Sequence, residues 1–370
     1  MKRSVNRVLQ FSYHEEPLSG PREPGYCRIL VLGVGGAGNN TVSRLMEMAV
    51  TGAECVAINT DMQHLKATRA TRKLLIGEKT TRGRGTGGDP KIGKAAVEES
   101  RKELEKILTD VDVVFITAGL GGGTGTSAAP VAAEIARRNG AIVVGAVTTP
   151  FRIEKGRIEC GARGLNEMRR QCHTVMVIDN NKLMELVSQF PLNEAFKVGD
   201  QVLANMIKGV VETISAPSLI NLDFADFRTI VTKGGVAVVG VGESDAPNRA
   251  EEAVRNALKS PLVDVDYAGA TGALIHVSGG SQMTIEEANR VGEIVTEMMD
   301  NNASVIWGAR VNPSLEDLLR VTLVMTGVRS PQILSGFGTM APELFNIDQC
   351  EEPEEPLSID LGLDQIEDFE

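Results

Sequence analysis

Aromatic residues are scarce in this chain of 370 residues, with one Trp, three Tyr and ten Phe. Proteins that hold single-stranded nucleic acid stack bases on aromatic rings, so that class is disfavoured. Cysteine is sparse as well. The five cysteines stand at 27, 55, 160, 172 and 350 and form no C-x-x-C pair, so neither a disulfide framework nor a zinc clip is indicated. His14, His64, His173 and His276 are scattered without ligand spacing, read as surface or satisfied core residues, and no protein-held metal is expected. No apolar run approaches the roughly 18 residues of a membrane-spanning helix. The opening MKRSVNRVLQFSYHEEP lacks the apolar core of a signal peptide. Direct membrane insertion is therefore not expected, and a cytoplasmic location is.

A surplus of basic charge is also missing. The net charge is -11, and residues 351–370 alone carry nine acidic side chains and no basic one. The remainder holds 38 basic against 40 acidic groups. A neutral body with an acidic tail is a poor match to a phosphate backbone, so a nucleic-acid partner is not expected.

What is present is alternation. After a polar, proline-bearing leader (1–26), buried strands are predicted at CRILVLG, ECVAIN, VDVVFITAG, AIVVGAVT and HTVMVID. Near-continuous Val/Ile runs mean strands covered on both faces, as in a parallel sheet. Helices are predicted between them, including one unbroken helix over DPKIGKAAVEESRKELEKIL opened by Asp89-Pro90. The expected fold class is α/β: a doubly wound parallel-sheet domain (27–192), a long central helix (193–216) and a smaller α+β domain (217–330). An extension with the acidic tail (331–370) follows. In the second domain RTIVTKGGVAVVGVGE, GALIHVSGG, ASVIWGARV and LLRVTLVMTGV read as strands, with helices over NRAEEAVRNALKS and TIEEANRVGEIVTEMMD.

Two glycine loops follow strands and open helices. Gly33-Val34-Gly35-Gly36-Ala37-Gly38-Asn39-Asn40 contains G-x-G-x-x-G, which alone is a weak dinucleotide signal. A P-loop is excluded because Asn39 occupies the lysine position. The second, Gly119-Leu120-Gly121-Gly122-Gly123-Thr124-Gly125-Thr126-Ser127, leaves a run of backbone amides free of Cβ obstruction, suited to phosphate oxygens. Thr124 and Thr126 add hydroxyl donors. A nicotinamide-dependent oxidoreductase needs only one such loop and would leave the second unexplained. Two loops on one ligand suggest a di- or triphosphate.

GGGTGTS is close to the tubulin-superfamily signature. Together with GVGGAGNN, NTDMQHL, VTTPF, DNNKL, PLNEAFKVGD and NLDFADFRTIV, in that order along 27–330, the chain resembles the FtsZ family of tubulin-like GTPases of prokaryotic cell division. Its texture is more similar to archaeal members. The resemblance implies a GTPase that polymerises head-to-tail into a mid-cell division ring and hydrolyses GTP to GDP and phosphate on polymerisation. A tubulin-like GTPase governing cell shape is the nearest alternative.

The resemblance also implies site residues. Gly35, Gly36, Ala37, Gly38, Asn39 and Asn40 would line phosphates and sugar. Gly121, Gly122, Gly123, Thr124, Gly125 and Thr126 would wrap the β- and γ-phosphates. Glu154 and Arg157 would lie by the ribose, and Asn180 by base or sugar. Phe196 would stack on guanine, and Asp200 would accept from its N1–H and amine. A carboxylate suits guanine's paired donors, although a core phenylalanine and a solvated helix charge are the plainer accounts of those two residues. Asn221, Asp223 and Asp226 of one subunit would act on the neighbour's nucleotide, with Mg²⁺ bound through the phosphates; alone, the two aspartates read as loop charges or caps. Asp61 is either near that ion or a turn residue, and Arg82-Gly83-Arg84-Gly85 reads as a nucleotide-proximal loop. Arg157 follows Glu154 by three positions rather than four, Ser127 replaces a glycine, and Asn181 stands where many relatives carry Asp. Leu361, Leu363, Ile366 and Phe369 lie among the tail's carboxylates. That tail is either a solubilising segment or a binder of division or membrane-anchoring adaptor proteins.

Overall fold

A computed structural model describes residues 27–328, apart from 187–188, 216–217, 221, 234, 260–266, 268 and 301. The expected leader and acidic extension, Cys350 among them, lie outside the described residues. So does Asn221.

The Val/Ile runs form the strands they predict. β1 (Ile29–Val34), β2 (Ala53–Asn59), β4 (Val113–Gly119), β5 (Ile142–Thr148) and β6 (Thr174–Ile178) are buried along almost their whole length and pair in parallel. A short strand β3 (Arg72–Leu75) joins the edge beside β2. Its two leading charges hide it from a pattern search for apolar runs, and an edge strand tolerates them because one side faces water.

Helices cover this sheet: α1 (Gly35–Glu47), α2 (Met62–Ala67), α3 (Glu78–Thr81), α4 (Pro90–Glu99), α5 (Arg101–Ile107), α6 (Thr124–Arg138), α7 (Lys155–Gln171) and α8 (Asn180–Leu186). Asp89 caps α4 by accepting from Lys91 N at 2.8 Å, with Pro90 at the first helical position. The unbroken helix expected from Asp89 to Leu108 is instead two, split at Ser100 (φ -104°, ψ 16°). Ser100 Oγ is drawn off to accept from Gly77 N at 3.0 Å, the competition that makes serine a weak helix-interior residue.

The central helix α9 (Leu192–Ser215) buries Leu203, Ile207, Val210 and Val211 as the 3.6-residue spacing requires. It is followed by α10 (Phe224–Val231), β7 (Val236–Ser244), α11 (Arg249–Leu258), β8 (Gly272–Gly279), α12 (Ile285–Glu297), β9 (Ser304–Val311) and β10 (Leu319–Thr326). Here one expectation is overturned: RTIV is the end of α10, not a strand. Its apolar Phe227, Ile230 and Val231 lie at i, i+3 and i+4, and all three are buried, so the helical period was present under a β-branched composition. Phe227 meets Phe115 of β4 with ring centroids 6.4 Å apart, a pairing of order 1 kcal/mol beyond burial.

The strands form one sheet in the order β3-β2-β1-β4-β5-β6-β7-β10-β8-β9. β7 continues the parallel sheet through Val175↔Val236 and Met176↔Ala237, while β10 runs antiparallel between β7 and β8. The chain order reverses at β1 and β4, and such switch points hold ligands at the carboxyl ends of the strands. α9 leads the chain away from that edge. A Cβ on Gly52, just before β2, would stand 2.3 Å from Ser215 Oγ at the far end of α9. α10 then feeds the opposite edge, where Lys233 Nζ donates to Thr271 O ahead of β8 and to Ser304 Oγ at the start of β9.

Candidate functional site

At the carboxyl edge, β1 runs straight into α1, and β4 reaches α6 through Leu120–Gly123. Neither helix has a side-chain cap, and neither carries an acid in its first turn. The same holds for α7 beside them. First-turn amides of a helix have no partner within it and carry its positive dipole end. Three such ends meet here. A Cβ on Gly35 (φ +73°) would lie 3.0 Å from Gly125 N, and one on Gly121 (φ +94°) 3.0 Å from Arg157 Cβ. Glycine is required at both positions by the backbone angle as well as by the contact.

Within the first loop the six predicted residues divide. Gly36, Ala37 and Asn40 are exposed, while Gly35, Gly38 and Asn39 are buried. The Asn39 side chain is turned into the protein. Its amide, oriented to satisfy both ends, donates to Gly33 O (2.9 Å), Gly35 O and Ile58 O and accepts from Asn59 Nδ2 at 3.1 Å. It locks the β1–α1 turn to β2.

The second loop shows a similar division. Gly122 is half-buried with nothing within 4 Å of where its Cβ would be, while Gly121, Gly123, Thr124, Gly125 and Thr126 are buried. Both threonine hydroxyls also have partners within the protein. Thr126 Oγ1 accepts from Gly121 N at 2.9 Å, which leaves its own O–H to donate, and Thr124 Oγ1 lies 2.7 Å from Thr60 Oγ1. Ser127 Oγ turns back to Gly123 O at 2.6 Å, which accounts for a serine where glycine is usual.

A third glycine loop, missed in the sequence, completes the cradle. Gly85, Gly87 and Gly88 all have positive φ, and a Cβ on either of the last two would meet nothing. Thr86 anchors this loop to the second, since a Cβ on Gly123 would fall 2.1 Å from its Oγ1. The signal was G-T-G-G-D-P, which starts at Gly85, the last residue of the Arg82–Gly85 stretch read as a nucleotide-proximal loop. Asp61 proves to be the N-cap of α2, accepting from Gln63 N and His64 N.

At the mouth, Glu154 and Arg157 pair with each other at 2.6 Å, and Glu154 Oε2 also accepts from Phe151 N at 3.1 Å. The three-residue spacing therefore puts both on one helical face. Asn180 opens α8, half-buried. Asn181 ties this corner together. Its Oδ1 accepts from Arg152 N at 2.8 Å, and its Nδ2 donates to Asp179 Oδ1 at 2.8 Å. The Phe196 side chain lies outside the described residues. Asp200, on α9, is half-buried, and burial pushes its carboxyl up to about 7 even though Arg44 of α1 pulls the other way. An acid held so is short of hydrogen-bond donors and suited to gaining them from a ligand.

Asp223 and Asp226 are not brought to this cradle. They form a capping box on α10, with Asp226 N donating to Asp223 Oδ1 at 2.9 Å and Asp223 N to Asp226 Oδ2 at 3.1 Å. α10 ends at the edge where the parallel strands begin, with Lys233 just past it donating to Thr271 O ahead of β8.

The family model of the tubulin/FtsZ GTPase domain matches residues 28–188, and that of the FtsZ C-terminal domain matches 235–329. The chain is 53% identical over 315 residues to cell division protein FtsZ 2 of Methanocaldococcus jannaschii, covering 84% of this chain and 83% of the relative. It is 50% identical over 361 residues to FtsZ 1 of Pyrococcus furiosus, covering 97% and 94%. The solved empty FtsZ dimer of M. jannaschii superposes with a TM-score of 0.77 at 52% identity, over 81% of this chain and 88% of that one. By matching domain models, by identity over most of its length and by a shared fold, this chain belongs to the FtsZ family of tubulin-like GTPases.

Proposed function

We propose that this protein is a self-assembling GTPase of cell division, in which head-to-tail polymerisation completes the hydrolytic site. Each subunit binds GTP at the three glycine loops, with Gly36, Ala37, Asn40 and the amides of Gly122–Thr126 facing phosphates and sugar, and Gly121 shaping the turn through its bond to Thr126. Glu154, Arg157 and Asn180 rim the pocket; Phe196 and Asp200 take the guanine. Asp223 and Asp226 of the next subunit, with Asn221 beside them, orient the attacking water.

The observation that carries this reading is that the acid pair belongs to an element outside the cradle. A cradle of uncapped helix ends stands at the carboxyl edge, whereas α10, which the acid pair caps, ends at the other, Lys233 just past it donating to Thr271 O ahead of β8. One chain cannot close that gap, whereas a second copy stacked along the strand direction can. Such a heterologous contact does not close on itself and so builds a filament.

Among the described residues no three His, Cys, Asp or Glu side chains group into a metal cage, and the first turns of α1, α6 and α7 carry no acid. Mg²⁺ is read as carried on the phosphate oxygens, where it would neutralise charge. No helix among the described residues is long and apolar enough to cross a membrane. A cytoplasmic mid-cell ring would then need adaptor proteins, for which the acidic tail is the proposed handle.

The test is sedimentation with GTP against GDP, with phosphate release measured in the same tubes. Polymer only with GTP, and release per subunit rising steeply with protein concentration, are expected. Constant turnover per subunit below the assembly threshold would refute a shared site.

A further inference from the structure

His64 is one of four scattered histidines with no ligand spacing, yet the fold places it against the first glycine loop. It lies in the first turn of α2, whose cap, Asp61 Oδ1, accepts from His64 N at 3.1 Å. Gly36 is an exposed residue of the loop. The nearest heavy atom to a Cβ built on it, 4.0 Å away, is His64 Nε2. The imidazole thus walls the open side of the loop with one ring nitrogen turned towards it.

The identity of that nitrogen follows from the other end of the ring. His64 Nδ1 is 3.4 Å from Asn59 Nδ2. The Asn59 amide is fixed in orientation, because its Oδ1 accepts from Thr60 N at 2.9 Å and from Asp61 N at 3.2 Å. Its Nδ2 also donates to the Asn39 oxygen at 3.1 Å. An amide nitrogen only donates, so His64 Nδ1 must accept. The neutral ring then carries its proton on Nε2, facing Gly36. Among the described residues Nε2–H has no acceptor.

We propose that His64 is a nucleotide-binding residue whose Nε2–H donates to an oxygen of the phosphate chain held at Gly35–Gly38. The inference rests on the GTP-binding reading above and deepens it. Backbone amides of α1 approach the phosphates from within the loop, and His64 adds a side-chain donor from outside it. The chain Asn39–Asn59–His64 sets the tautomer, so the residue that locks the β1–α1 turn also aims the donor.

The test is titration of the full chain with GTP, GDP and guanosine, the last followed by ligand-detected NMR. The proteins compared are the unaltered chain, His64→Ala and His64→Gln. One hydrogen bond to a charged oxygen corresponds to roughly a tenfold change or more in affinity. His64→Ala should therefore weaken GTP and GDP about tenfold and leave guanosine unchanged. His64→Gln, which keeps an N–H donor at similar reach, should recover most of the loss. Two-bond ¹H–¹⁵N spectra should show the Nε2–H tautomer, with Nε2 shifting when GDP is added. Equal GTP affinity of the variant and the unaltered chain, an equal loss for guanosine, or an Nδ1–H tautomer would each overturn the proposal. Failure of the unaltered chain to bind GTP would instead overturn the nucleotide reading, and this inference with it.

Discussion

Gly122 offers a way to damage the cradle without damaging the fold. Its φ is not positive, and a Cβ built there meets no atom within 4 Å, so alanine is neither strained nor crowded. Substitution of glycine by alanine at a compatible site stabilises by about 0.4–1 kcal/mol through the unfolded chain. Gly122→Ala should therefore leave the thermal midpoint of the nucleotide-free protein unchanged or raise it slightly. The open space around that Cβ is, on the proposed reading, where phosphate oxygens approach the loop amides. Displacing them loses one or two hydrogen bonds to a charged group, each worth about 1.5–3 kcal/mol, so GTP affinity should fall by at least about tenfold. Gly38→Ala is the contrasting variant. Its Cβ would stand 2.2 Å from Thr117 O and 3.1 Å from Gly33 C. Both are backbone atoms that cannot swing away, so overpacking should cost about 1–3 kcal/mol with or without ligand. Thermal unfolding and GTP titration on the same preparations separate the two. Unchanged GTP affinity in Gly122→Ala would mean that the open face of the loop is not the ligand face.

Asp226→Asn keeps an oxygen for Asp223 N and should abolish turnover with assembly and thermal stability retained. Asp226→Ala should also lose about 1 kcal/mol from the broken capping box, seen in chemical denaturation. Asp200 is raised from 3.8 to about 7 chiefly by burial, so the folded chain holds a proton that the unfolded chain releases near pH 4. Its contribution to stability should fall between about pH 4 and 7, and Asp200→Asn should remove that slope from unfolding free energies measured across the range. In the same window GTP should bind more tightly as the carboxylate forms, and the Asn variant should bind weakly at every pH. Asn39→Ala removes the hydrogen bonds that its amide makes with Gly33 O, Ile58 O and Asn59 Nδ2, which should cost roughly 3 kcal/mol in denaturant midpoints.

Most of the fold was legible because its signals are dense. Buried parallel strands announce themselves as Val/Ile runs, and the Asp89-Pro90 start of α4 is fixed by local chemistry. Legibility failed where a local preference met a tertiary demand. The apolar RTIV was composed like a strand but spaced like a helix, and Phe115 across the core decides for the helix. Ser100 broke a helix because Gly77 N competes for its hydroxyl. In the site, the glycines were read from sequence, but not which face each one turns. Asn39, Thr124 and Thr126, read as ligand contacts in a motif, also brace the loops from within. The third loop and His64 escaped because their meaning lies in what they touch, Gly123 and Gly36, more than thirty residues away in one case and almost thirty in the other.

The acid pair was weighed as either helix cap or catalytic group; it is a cap, and the capping geometry is compatible with the proposed catalytic role as well. Each carboxylate in the box spends one oxygen on a backbone N–H, Asp223 through Oδ1 and Asp226 through Oδ2. That leaves Asp223 Oδ2 and Asp226 Oδ1 as a second pair of acceptors, on side chains whose rotamers the cap already holds. Asp223 is exposed and Asp226 half-buried, so the free oxygens are open to solvent in the single subunit. Two acceptors fixed relative to one another can orient a water molecule without first being ordered, the condition under which positioning lowers a barrier. On the proposed reading the phosphate they act on belongs to the neighbouring subunit. Capping thus supplies the preorganisation, and the second subunit would supply the electrophile. On the proposed reading, such a subunit is fully folded, nucleotide-loaded and catalytically idle until it has a neighbour.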